Sequence, residues 1–107
     1  MHTAQAVRRG SQVERERFHR LARLFFSGAD PARLKIIEIL ADRGEACVSE
    51  LAEELGMSIA AVSHHLKILR ECRCLKTVKS GRMLCCRFEP NAFTRFVLGL
   101  IKHPGKV

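Results

Sequence analysis

Only two residues, Gly56 and Met57, separate two segments of helical periodicity, and that spacing constrains the fold of this chain more than any other feature. The upstream segment, residues 49–55, sets Leu51, Ala52 and Leu55 on one side. It stops at Gly56, the residue type that closes a helix in the left-handed conformation. The downstream segment opens at Ser58, whose hydroxyl can cap a helix, with Met57 and Val62 in the staple positions around it, and runs to about Glu71. Two helices joined through so tight a turn make a helix-turn-helix, in which the second helix is the one that fits a DNA groove.

The flanking sequence completes the frame. Ser11 and Glu14 have the spacing of a capping box, and Phe18, Leu21, Ala22 and Phe25 then recur along one helical face until Ser27 and Gly28. Asp30 and Pro31 form an N-cap and first-turn pair, followed by Leu34, Ile37, Leu40 and Ala41 up to Gly44. Residues 74–88 read as two strands about Ser80 and Gly81, a basic hairpin or wing beside the DNA-facing helix. Pro90 opens a last helix carrying Phe93, Phe96, Val97, Leu100 and Ile101 before Pro104 closes it. The expectation is an α+β, mostly helical winged helix-turn-helix: five helices with a two-stranded β-hairpin wing. Residues 1–10 read as a flexible basic arm and 11–107 as one DNA-binding and dimerisation domain, since 107 residues leave no room for a second.

Charge narrows the partners. Nineteen Lys and Arg against eleven Asp and Glu give a net charge of +8, which suits a polyanion, nucleic acid first and an acidic membrane surface second. No apolar run approaches the roughly 20 residues that span a bilayer, and the amino terminus lacks the apolar stretch of a signal peptide. A soluble, cytoplasmic protein with no membrane partner is expected. No Ser/His/Asp arrangement, phosphate-cradling glycine loop or paired acidic cleft is visible, so the chain does not read as an enzyme.

On a helical wheel from Ser58, Ile59, Val62, Leu66 and Leu69 share one side; Ala60, His64 and Lys67 lie opposite, with Ser63 at the flank. Ser and His can bond to base edges or phosphates, Ala60 permits close approach, and Lys67 can neutralise a phosphate. His65 lies nearer the apolar side, where packing or a structural hydrogen bond competes with base contact. Lys79 and Arg82 flank the hairpin tip, within reach of phosphates or the minor groove.

Three segments resemble the ArsR/SmtB family of winged-helix bacterial transcriptional repressors: ADPARLKIIEIL at 29–40, CVSELAEELGMSIAAVSHHLKILRE at 47–71 and KSGRMLCCRF at 79–88. The resemblance implies a homodimer, formed through the first and last helices, that holds double-stranded operator DNA until a metal, metalloid or redox signal lowers its affinity. It also sets Ile59, Ala60, Ser63 and His64 at the reading-helix contact positions. The family's zinc positions on the last helix hold Pro90, Ala92, His103 and Lys106 here, so only His103 remains. Of the family's Cys-Val-Cys box, Cys47 remains and Ser49 stands in the second place.

Five cysteines, an odd number, argue against a disulfide framework in a reducing compartment and leave core fillers, metal ligands or redox groups. Cys72 and Cys74 follow the reading helix, and Cys85 with Cys86 occupy the second strand; if Ser80 and Gly81 centre the turn, Leu75 faces Cys86, Lys76 faces Cys85, and Cys74 lies diagonal to Cys85. Thiolates there would select a thiophilic ion as inducer: As(III) or Sb(III), cadmium, lead, Cu(I) or zinc. The alternative is a redox or reactive-sulfur sensor in which two cysteines form a disulfide or polysulfide bridge. For Cys47, burial as a small apolar residue competes with a ligand role.

Overall fold

The computed structural model describes the backbone of residues 4–106 and the side chains of residues 12–105. Its elements run α1 (Ala4–Ser27), α2 (Pro31–Arg43), β1 (Glu45–Cys47), α3 (Val48–Leu55), α4 (Ile59–Glu71), β2 (Leu75–Ser80), β3 (Met83–Phe88) and α5 (Ala92–Lys102), with a short 3-10 turn at Pro104–Lys106. Helix α1 starts at Ala4 rather than Ser11, so Ser11 is an interior helical residue, and the arm expected over 1–10 is helical from residue 4 onward. Its first three residues lie outside the described ones.

Local chemistry sets the helix ends. The Asp30 carboxylate accepts from the amides of Ala32 at 2.8 Å and Arg33 at 3.3 Å, with Pro31 in the first turn, and α2 closes on Gly44 at φ +82°. That positive φ turns the chain into β1. Helix α3 ends on Gly56 in the left-handed conformation, and Ser58 Oγ then accepts from Ala61 N at 3.1 Å to open α4. Asn91, one residue after Pro90, caps α5: its side-chain oxygen accepts from Thr94 N at 2.8 Å while Thr94 Oγ1 accepts from Asn91 N at 2.9 Å.

The sheet has three strands, in the order β1-β3-β2, both pairings antiparallel. Strand β1 has no counterpart in the sequence reading, because three residues are too few to show alternation. The hairpin register also differs from expectation by two residues. Ser80 pairs with Met83, so Gly81 and Arg82 form the turn, and Thr77 and Val78, not Leu75 and Lys76, face Cys86 and Cys85. Gly81 is the hairpin residue with positive φ (+63°), and a two-residue turn accommodates a lone glycine of that kind at its first central position.

The core lies between α2, the helix-turn-helix and the inner face of the sheet. Ile36, Ile37 and Leu40 of α2 pack with Leu51, Val62, Leu66, Leu69, Leu75, Cys86 and Val97. Outside it, α1 and α5 expose a continuous apolar face: Phe18, Leu21, Phe25, Phe96 and Leu100 are all large and exposed, and Phe25 stacks edge-on against Phe93 and Phe96. Among the described residues no helix is long and apolar enough to cross a membrane.

Candidate nucleic-acid interface

Helix α4 presents two unlike faces. Val62, Leu66 and Leu69 are buried, whereas Ala60, Ser63, His64 and Lys67 are exposed, and so is Ile59 at the start of the apolar side. Ile59 keeps the angular place the helical wheel gives it, beside Leu66, but is not part of the core. A first-turn position close to the N-cap projects beyond the core, and Ile59 keeps 57% of its surface in solvent. Ser58 uses its oxygen as the cap acceptor, which leaves its O–H free to donate. Lys79 and Arg82 are exposed at the hairpin, on either side of Ser80 and Gly81.

His65 turns inward. Its side chain is 13% exposed, with Nδ1 at 3.0 Å from Arg33 Nη1 and Nε2 at 4.0 Å from Asp30 Oδ1. Arg33 has no acceptor capacity, so the contact requires an unprotonated Nδ1, which puts the ring proton on Nε2, toward Asp30. Arg33 is itself buried: Nε donates to Ser27 O at 2.8 Å, Nη2 to Phe26 O at 3.0 Å, and the guanidinium lies 5.1 Å from the Phe26 ring centre. One side chain thus ties the end of α1 to the reading helix. Burial alone would raise the Asp30 carboxyl, but the Arg33 and Ala32 amides and the Arg33 charge oppose it, and the group is held below its ordinary 3.8. Arg70 Nη1 donates to Thr77 Oγ1 at 3.3 Å and links α4 to the wing.

The cysteines divide differently from the expected cluster. Cys47 and Cys85 stand directly opposite in the β1–β3 pairing and are joined by a disulfide, so Cys85 is not a neighbour of Cys74. Cys86, on the inner face, is part of the core, and Cys74 is buried at the end of α4. Desolvation pushes both thiols up, against the side-chain hydrogen bonds of Asn91 and Ser27 for Cys74 and the charge of Arg70 for Cys86. Half-buried Cys72 donates through Sγ to Arg23 O at 3.4 Å. Among the described residues no group of three or more His, Cys, Asp or Glu side chains is placed to hold a metal ion, and buried, protonated thiols are poor ligands. With Cys47 and Cys85 joined, the described residues offer no site of three or more such donors. The disulfide escaped sequence reasoning because the strand carrying Cys47 did; its register opposite Cys85 was the missing signal.

The profile of the family described as "Bacterial regulatory protein, arsR family" matches residues 30–77, from the Asp30 cap through the reading helix into the wing. An uncharacterised HTH-type transcriptional regulator of Methanocaldococcus jannaschii, MJ1325, is 36% identical over 62% of this chain and 74% of its own length. This chain belongs to the ArsR family. The arsenical resistance operon repressor of Escherichia coli is 38% identical over 64% of this chain, and the match spans 58% of that repressor. In structure, the homodimeric winged helix-turn-helix domain of Mb0332 from Mycobacterium bovis aligns with a TM-score of 0.74 at 22% identity, over 87% of this chain and 84% of that one. It shows the same fold. Members of the ArsR family are transcriptional regulators rather than enzymes, and the relatives of this chain include regulators named for cadmium resistance and arsenical resistance.

Proposed function

We propose that this chain is a homodimeric, sequence-specific operator-binding repressor whose hold on DNA is set by the redox state of Cys47 and Cys85. The disulfide carries the reading, because the ring it closes contains α3, α4 and β2, the elements that would touch DNA, and leaves α1 and α5 outside. The exposed face of α4 supports a DNA contact through Ser58, Ile59, Ala60, Ser63, His64 and Lys67, with Lys79 and Arg82 on the phosphates. His65 serves instead as the anchor of that helix. The apolar face of α1 and α5 supports pairing of two copies, as does the homodimeric relative. A DNA-binding protein of this kind works in the cytoplasm, where disulfides are transient and serve sensing.

In the switch, two thiols become one S–S bond and give up two protons and two electrons to a hydroperoxide, which leaves as water and an alcohol. The bonded form holds wing and reading helix in one arrangement, so we expect it to be the tighter binder. Operator binding with peroxide and with reductant, for the wild type and C47A/C85A, tests the reading; equal affinities of the two wild-type forms would refute it. The arsenical resistance relative favours an ion as the signal instead, and that alternative predicts new ultraviolet absorption on adding As(III) or Cd(II) under reducing conditions.

A further inference from the structure

We infer that an apolar cluster between the reading helix and the wing, made by Ile59, Met83 and Leu84, reads thymine methyl groups in the operator. The inference rests on the operator-binding reading and adds what that surface recognises. Ile59 is 57%, Met83 48% and Leu84 49% exposed. They line one cavity of about 230 Å³ together with Val48, Ser49 and Ser63. Large apolar residues that line one groove and stay half-exposed to water are costly to leave uncovered and mark a contact surface.

Charge complementarity selects the occupant. Lys79 is the direct cross-strand neighbour of Leu84, Ser80 is that of Met83, and Arg82 immediately precedes Met83 at the turn. Lys67 and His64 are exposed on the helix that carries Ile59. An apolar spot with cations around it matches a duplex, in which phosphate rows flank the major groove and the thymine C5-methyl is the apolar group on the base edges. Ile59 stands in the first turn of α4, the part of a recognition helix that meets base edges, and its side chain has no hydrogen-bonding atom. It can discriminate bases only through apolar contact. Ser63, one turn further along the same cavity, offers an O–H that can donate to the thymine O4.

The test begins with a duplex selected from a random-sequence pool by the full wild-type chain. Each thymine of the selected site is then replaced by deoxyuridine, which deletes one methyl and keeps base pairing. At one or more positions wild-type affinity should fall about fourfold, the transfer value of one buried methyl-sized group. I59A should bind the thymine and deoxyuridine duplexes alike there, while I59V keeps part of the difference; M83A and L84A should each blunt it at the position they cover. All four side-chain changes lie at exposed positions, so circular dichroism should be unchanged. Indifference of the wild type to every deoxyuridine, with operator binding intact, would overturn the methyl reading alone. So would undiminished deoxyuridine sensitivity in all the alanine variants, or alanine variants that change oligomeric state instead. Failure to select any duplex would overturn the operator reading and this inference with it.

Discussion

Reducing the Cys47–Cys85 bond should destabilise the DNA-reading unit by a predictable amount. The bonded residues are 38 apart in sequence, and cross-linking a loop of that length removes about 13 cal/mol/K of chain entropy from the unfolded state. At 25 °C this is about 4 kcal/mol, an upper value because the unfolded chain retains some compactness. For a domain of this size the melting temperature would fall on the order of 15 °C. The assay is urea or thermal unfolding of the wild type with and without reductant, at one fixed protein concentration because a dimer's stability depends on it. The same chain in two redox states avoids the cost of burying a substituted side chain. C47A/C85A should melt well below the oxidised wild type and ignore reductant. A difference under about 1 kcal/mol between the two wild-type forms would show that backbone pairing of β1 with β3 holds the unit unaided, and would refute the entropic account.

Other substitutions test other parts of the interface. S63A/H64A should abolish the preference for operator over random duplex while leaving the melting curve within about 0.5 kcal/mol, since both residues are exposed; unchanged selectivity in a gel-shift competition would refute the placement of the reading face. R33M should cost about 3 kcal/mol in urea unfolding, because it leaves the carbonyls of Phe26 and Ser27 and the ring of His65 without their donor. R33K should recover little of it, as an ammonium cannot span the same fork; full rescue by lysine would contradict this geometry. The depressed Asp30 carboxyl stabilises the fold fully above its ordinary value of 3.8 and loses that contribution as pH falls through the lower folded value. D30N keeps a competent cap without the charge and should show a flatter loss of stability in acid; parallel pH profiles would rule out the charge contribution.

Most helix boundaries were legible because they rest on local chemistry: the Asp30 and Ser58 caps, and the glycines at 44 and 56, act within a few residues of themselves. The sheet was less so. Ser80 and Gly81 both suit a turn, and choosing them as its centre displaced every cross-strand neighbour of the cysteines by two positions. Strand β1 exists because β3 offers it an edge, not because Glu45, Ala46 and Cys47 favour extension on their own. With β1 unseen, the bond between Cys47 and Cys85 could not be read. His65 is a similar case: its spacing suggested the apolar side, but the partner that orients it, Arg33, lies 32 residues earlier and on another helix. The exposure of Ile59 was likewise set by how far the core extends under the start of α4.

Strand β3 is both the returning arm of the wing and the middle strand of the sheet, and this limits how the hairpin could be remodelled. Strand β1 pairs only with Cys85, Cys86 and Arg87, so the portion from Lys79 to Leu84 projects past it as a free tip. Extra residues spliced in at Gly81 and Arg82 would lengthen the reach toward DNA without touching the scaffold. Trimming beyond Leu84 would instead remove the strand on which both its neighbours depend, so grafts of longer or shorter wings should tolerate growth far better than pruning.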